Sequence, residues 1–298
     1  MYAASALRDP SSLQSFVRDA APRAPFRRVL MVHPAHFQVR HVINPHMEGM
    51  IGAVDTERAH EEWEAIRAAY ESLGFPVMVV DGTDDFPDVV FAANQLLPYV
   101  DADGQPALVL SHMAKVERQG EVAYLAESFQ PLGFSMHPLR TALPLEGTGD
   151  AVWHPGKNLI WGGHGFRTDE SSWAEVAEIT GARVVPLTLV HEHMYHLDVA
   201  LMPIDESTAF SYRGAFDEES WARLVAAFPH LIEVPESEAM EGFALNGHSP
   251  DGQTLLLPAG NPETRRLAES LGLKIRELPT REFQKSGGSI FCLKNMLP

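Results

Sequence analysis

Cys292 is the single cysteine of the 298-residue chain and lies near the C-terminus in the segment KSGGSIFC. Its paired glycines permit backbone turns and close approaches that other residues resist, so the thiol can be presented to a ligand at a tight turn. The plain alternative is a core cysteine on a last strand, SIFCL. A nucleophilic cysteine needs a base or a cation beside it to become a thiolate, and histidine most often supplies one. His196, in HEHMYHLD, is the candidate. His191, His193 and His196 also make an H-x-H-x-x-H pattern, which a zinc site completed by Asp198 would use. In LEGTGD, Glu146 and Asp150 stand among glycines, which suits a loop under a ligand that orients a histidine or grips a cation; a solvated turn is the alternative. GGHGFRTD is glycine-rich but lacks the GK[ST] ending of a phosphate loop. Its Arg167 therefore reads as an anchor for a substrate carboxylate, with Arg118 of ERQGE as a second, unless both are surface ion pairs.

Five helix-then-strand units position these residues. The apolar spacing predicts helices over 56–73, 121–132, 218–228 and 262–271, and another starting after Asp169 as its N-cap. Glycine or proline ends each, and a strand follows (PVMVV, FSMHPL, RVVPLTLV, LIEV, LKIREL). A short polar segment comes next each time: FPDVVFAAN, LEGTGDAVW, MYHLDVAL, MEGFALN and KSGGSIFC. One residue from each, Asn94, Asp150, Asp198, Asn246 and Cys292, gives separations of 56, 48, 48 and 46 residues. A repeat of this length, mixing helix with strand, predicts an α/β fold of five units closed around an axis where the polar segments meet. A doubly wound sheet with accidental spacing is the alternative. No Pro/Ser-rich linker interrupts the interior, so residues 26–298 are expected to form one domain behind a loosely ordered arm over residues 1–25.

Composition bounds the function. Hydrophobic residues at 45% and charged residues at 21% describe a globular protein. A formal charge of −17 disfavours nucleic acid and suits a cationic substrate. No apolar run is long enough to span a bilayer, and the N-terminus lacks the continuous apolar stretch of a signal peptide. The expectation is a cytoplasmic protein with no membrane partner, and homo-oligomerisation is left open.

Taken together, INPHMEG, FPDVVFAAN, ERQGE, LEGTGD, GFRTD, YHLD and KSGGSIFCL resemble the guanidino-group-modifying enzymes of the pentein superfamily. The likeness is greatest to bacterial proteins grouped with dimethylarginine dimethylaminohydrolase and arginine dihydrolase. It runs in order from about residue 29 to residue 293. The resemblance implies a closed five-bladed α/β propeller with its active site on the axis. It implies Cys292 as nucleophile, His196 as general acid/base and Glu146 as the acid supporting the histidine. Asp198 would hold the guanidinium, and Arg118 and Arg167 the substrate carboxylate. Asn44 and Asn94 match asparagines of the dihydrolase-like branch, whereas arginine deiminases and the better-known dimethylarginine hydrolases carry an acid in place of Asn94. SHMAKVERQGE is less arginine-rich than the family pattern, and NQLLPYVDADGQPA is longer. Asp150 and Asn246, at the corresponding axial positions, join the substrate-binding candidates.

The expected chemistry needs no metal or organic cofactor. Cys292 adds to the guanidinium carbon, an amine leaves, and water releases a ureido product from a covalent thiouronium. Three alternatives remain open at this point: an amidinotransferase, in which an amine intercepts the same intermediate; a metallohydrolase; and a non-catalytic binding protein on the same fold.

Overall fold

The computed structural model describes residues 10–298. Its strands form five separate small sheets. The first joins β1 (Arg28–Val32) to β2 (Val77–Val80), and the second contains β3 (Leu96–Val100), β4 (Pro106–Leu110) and β5 (Ser135–Pro138). The third holds β6 (Ala151–Trp153), β7 (Leu159–His164) and β8 (Arg183–Thr188), and the fourth β9 (Leu201–Pro203), β10 (Thr208–Ser211) and β11 (His230–Glu233). β12 (Thr254–Pro258) and β13 (Lys274–Leu278) make the fifth. The last strand, β14 (Lys294–Leu297), returns to pair antiparallel with β1 in register Arg28↔Leu297, so the C-terminus completes the first blade and closes the ring.

Each blade repeats one connection. A middle strand pairs in parallel with an outer strand, as β1 does with β2 through Val29↔Val77. Parallel neighbours need a crossover, and a helix supplies it. The five crossovers are Thr56–Ser72, Gln119–Glu127, Ser172–Thr180, Glu218–Ala227 and Pro262–Ser270. The first buries Trp63, Ile66 and Tyr70 on one face. Its N-cap Asp55 accepts from Arg58 N at 3.1 Å, and Asp217 caps the fourth by accepting from Ser220 N at 2.7 Å. Such caps contribute about 1 kcal/mol each.

Four expectations need adjusting. The second helix ends at Glu127, not Leu132, and a short 3-10 turn over Gln130–Leu132 follows. Pro131 lacks the N–H that would continue the α-helix. The N-cap of the third is Ser171; Asp169 lies two residues earlier and accepts from Ser171 N at 2.8 Å. In the arm, residues Pro10–Arg18 form a helix that packs against Glu218–Ala227 through buried Leu13 and Val17. So short a helix gains its stability from burial rather than from its own sequence, which is why local pattern does not announce it. The rest of the arm, residues 1–9, lies outside the described residues. Finally, SIFCL is not a strand: Cys292 sits in a turn, and β14 begins at Lys294.

Candidate active site

In four blades a short polar segment precedes the inner strand, in the fifth it precedes the isolated bridge His248↔Leu256, and these segments converge. Asn94 lies two residues before β3, Asp150 directly before β6, and Asp198 within the turn Leu197–Val199 that leads to β9. Asn246 ends the turn Ala244–Asn246, and Cys292 lies two residues before β14. All five are buried.

Around the thiol, Asn246 organises the backbone. Its Oδ1 accepts from Ser289 N at 2.8 Å and Cys292 N at 3.3 Å, and its Nδ2 reaches Asp198 O at 3.0 Å and Cys292 Sγ at 3.2 Å. The thiol in turn donates to Asp198 Oδ2 at 3.1 Å, while Asp198 Oδ1 has no partner. Burial, and then Asp198, push the Cys292 thiol well above its ordinary range. Burial also raises Asp198 to about 7. The resting thiol is therefore protonated at neutral pH, and a cation placed beside it would favour the thiolate.

The paired glycines keep this turn tight. Gly287 has φ +86°, and a Cβ there would stand 2.6 Å from Tyr195 Oη and 2.9 Å from Asn44 Oδ1. A Cβ on Gly288 would stand 2.5 Å from the Phe91 ring.

The histidine has its own frame. His196 Nε2 lies 2.6 Å from Glu146 Oε2, which also accepts from Arg167 Nη1 at 3.1 Å, and Glu146 Oε1 accepts from Ala114 N at 3.0 Å. Burial opposes ionising Glu146, but Arg167, His196 and Arg118 outweigh it and hold the carboxyl at about 2. Burial lowers His196 to about 4 despite that carboxylate, so the imidazole is neutral at pH 7 and its bond to Glu146 fixes the tautomer. His191 and His193 do not join it. His191 Nδ1 accepts from His193 N at 3.3 Å, and His193 O faces His46 Nε2 at 3.0 Å. The H-x-H-x-x-H pattern thus does not converge on a point, and no group of three or more metal-ligating side chains is placed to hold an ion among the described residues.

Asn44, Asn94, Arg118, Arg167, His196 and Cys292 line one cavity, together with Asp88 and Ser286. The two arginines differ in what they have left to offer. Arg118 is held by Glu121 at 2.8 Å, by Asn94 Oδ1 at 2.9 Å and by Asp88 O at 3.1 Å. Arg167 spends one bond on Glu146 and one, at 3.0 Å, on Ile43 O, leaving Nε and further hydrogens free. Because Arg118 can only donate, Asn94 must present its oxygen to it, and Asn94 Nδ2 is left buried without a partner. Asn44 Nδ2 donates to Ser286 O at 3.1 Å, and Asn44 Oδ1 accepts from His46 N.

Asp150 does not face this cavity. Its oxygens accept from Leu197 N at 3.0 Å and Thr168 Oγ1 at 2.7 Å, so it ties the segments carrying Glu146, Arg167 and His196 together. Asp198 and Asn246 do not line the cavity either, but pack behind the thiol. Asp88 does line it, and it is the one acid of the cavity that sequence reasoning misses, although it stands in FPDVVFAAN. Its oxygens bind Ser286 Oγ at 3.1 Å and His41 Nε2 at 2.6 Å, contacts across more than 45 residues that local pattern cannot reveal. The cavity encloses only about 20 Å³, close to the space of a water molecule, so a substrate side chain requires its wall to move.

A closed ring of five α/β blades, with a buried thiol, a carboxylate-held histidine and a cluster of acids on its axis, defines a cysteine-dependent pentein hydrolase acting on C–N bonds of linear amidines. More narrowly, the chain belongs to the dimethylarginine dimethylaminohydrolase family: the model described as N,N dimethylarginine dimethylhydrolase, eukaryotic, matches residues 34–293. It is 33% identical to the N(G),N(G)-dimethylarginine dimethylaminohydrolase of Mycobacterium tuberculosis, over 89% of this chain and 84% of that one. It is 35% identical to the bifunctional arginine dihydrolase/ornithine cyclodeaminase ArgZ of Synechocystis, over 89% of this chain but only 37% of ArgZ. The N-terminal domain of ArgZ, solved with a covalently bound reaction intermediate, superposes with TM-score 0.84 at 33% identity, covering 90% of this chain and 97% of that domain. No helix among the described residues is long and apolar enough to cross a membrane.

Proposed function

We propose that the chain hydrolyses the guanidino group of L-arginine or an N-methylated arginine, with Cys292 as nucleophile and His196 as general acid/base. The observation that carries this reading is the geometry of the axis: Cys292 Sγ lies 3.1 Å from the buried Asp198 Oδ2, and His196, held by Glu146 at 2.6 Å, lines the same cavity as the thiol. Asp198 sits behind the thiol with Oδ1 unpartnered, and a guanidinium that reaches it once the cavity wall has moved favours both the carboxylate and the thiolate, so the substrate's own charge arms the nucleophile. His196, neutral at rest, takes the thiol proton as sulfur adds to the guanidinium carbon. Glu146 stabilises the imidazolium, which then protonates the departing amine. The thiouronium left on Cys292 is hydrolysed by water that the again-neutral His196 activates. Arg167, with donors to spare, holds the substrate carboxylate; Arg118 positions Asn94 and reaches the same cavity. Asn44 shapes the wall, while Asp150 and Asn246 fix the loops rather than touch substrate. A chemistry that depends on one free thiol suits a reducing compartment, which supports a cytoplasmic location.

Asn94 bears on the product. With its oxygen taken by Arg118, its free group is a donor, which suits the oxygen of a neutral ureido group better than a guanidinium that only donates. This favours retention of a ureido intermediate and a second hydrolysis, as in a dihydrolase. Incubation with L-arginine and, separately, with dimethylarginine, followed by mass spectrometry of the products, tests the reading. Ornithine and ammonia from arginine mark a dihydrolase, citrulline alone a deiminase, and citrulline with dimethylamine the methylarginine activity. No product from either substrate, but amidino transfer to added glycine or ornithine, would replace hydrolysis by transfer.

A further inference from the structure

Behind the layer of axial loops lies a second, much roomier cleft of about 510 Å³, within the range of small-molecule sites. Phe26, Trp153 and Phe291 supply aromatic wall, Arg23, Arg27 and Lys294 supply positive charge, and Ser249 adds a hydroxyl. No residue lines both this cleft and the catalytic cavity, although Lys294 follows Cys292 by only two residues.

We propose that this rear cleft is a second ligand site, one that takes a small organic anion with a flat apolar body. Neither Arg23 nor Lys294 has a carboxylate within 4.0 Å among the described residues, although Asp198 acts on Lys294 from farther off. Lys294 is only 2% exposed, with its Nζ 3.2 Å from the centre of the Phe291 ring. The Arg23 guanidinium rests 4.4 Å from the Phe26 ring centre and 4.8 Å from that of Trp153, and its Nε is buried without a partner. Ser249 Oγ is likewise buried and unpartnered, in a residue 9% exposed. Burying a cation without a close partner is costly, and an anion entering the cleft beside either one relieves that cost. Burial lowers Arg23 to about 10, and lowers Lys294 to about 7 against the opposing pull of Asp198.

Three acids also border the cleft, and each is occupied. Asp205 accepts from Ser207 and Thr208, Asp251 from Gln253 and Thr254, and Glu206 pairs with Lys157 at 3.3 Å. The aromatic faces suit a planar ring, and the two cations repel an arginine-like substrate. The ligand therefore differs in charge from the molecule the catalytic cavity accepts.

The test uses the full chain and 8-anilinonaphthalene-1-sulfonate, a planar organic anion, followed by fluorescence. Saturable one-to-one binding is expected, undisturbed by excess arginine or dimethylarginine. Arg23→Ala and Lys294→Met should each weaken it at least tenfold, since each removes a charge-assisted contact. N-phenyl-1-naphthylamine, the same body without the anion, should bind at least tenfold more weakly. Should Lys294→Met fail to fold, Arg23→Ala and Ser249→Ala carry the test, with circular dichroism and wild-type turnover as evidence of an intact fold. Equal binding of the neutral probe, displacement by substrate, or undiminished binding in the variants would overturn the proposal. The probe readings stand whether or not arginine is the substrate.

Discussion

Asp198 Oδ2 lies 3.1 Å from Cys292 Sγ: burial and the Asp198 carboxylate hold the proton on sulfur, while the thiol's hydrogen bond favours the carboxylate. Replacing Asp198 with Asn should therefore split two properties that usually move together. Alkylation of the free enzyme by iodoacetamide should become faster, because the charge that holds the proton on sulfur is gone. Turnover should fall by about 10²-fold or more, because the guanidinium loses its ionic partner. Both rates falling together would contradict the account.

The pH profile follows from the same pair. With Asp198 raised to about 7, it is protonated, and unable to hold a guanidinium by charge, below that pH. The quantity kcat/KM should drop about tenfold per unit as pH falls below about 7. Asp198→Asn should abolish that limb. His196, at about 4, should add a second fall only near that pH.

Glu146 makes a prediction about stability as well as rate. Glu146→Gln should lower kcat by about 10²- to 10⁴-fold, since it removes the charge that stabilises the imidazolium. The folded carboxyl titrates at about 2, below its ordinary 4.5. Its stabilising contribution is thus fully present above 4.5 and is lost as pH falls through 2. The melting-temperature gap between wild type and Glu146→Gln should shrink across that window, and a constant gap would contradict the assignment.

For Asn94, the substitution to Asp removes the free donor and places a carboxylate against Arg118. The ornithine-to-citrulline ratio from arginine should fall at least tenfold while citrulline formation persists. An unchanged ratio would remove Asn94 from the choice of product.

Gly287→Ala probes the cavity wall. The left-handed backbone at φ +86° costs a non-glycine residue about 1–2 kcal/mol, and the new methyl presses on Tyr195 and Asn44. A lowered melting temperature with KM raised more than kcat is lowered should result.

Much of the fold is legible in the sequence because it repeats. Each unit carries its own helix period, its own glycine or proline stop and its own polar segment, so the spacing alone sets Asn94, Asp150, Asp198, Asn246 and Cys292 side by side. What each residue does once there is less legible. Asp150 reads as a residue that touches substrate, but its partners Leu197 and Thr168 lie 47 and 18 residues away, and only the folded ring brings them to it. Arg118 reads as a free anchor, yet Glu121, one helical turn on, holds it. Lys294 draws no notice in the sequence because nothing local marks a lysine as buried.

The central claim is that Cys292 forms a covalent intermediate with the guanidino carbon. Intact-protein mass spectrometry after acid quench of a turning-over reaction tests it most directly, with L-arginine and with dimethylarginine. The expected result is an adduct of the substrate's thiouronium mass that maps to the Cys292 peptide, accompanied by ureido or ornithine product, and neither in Cys292→Ser. Product formed at an undiminished rate by Cys292→Ser would contradict it.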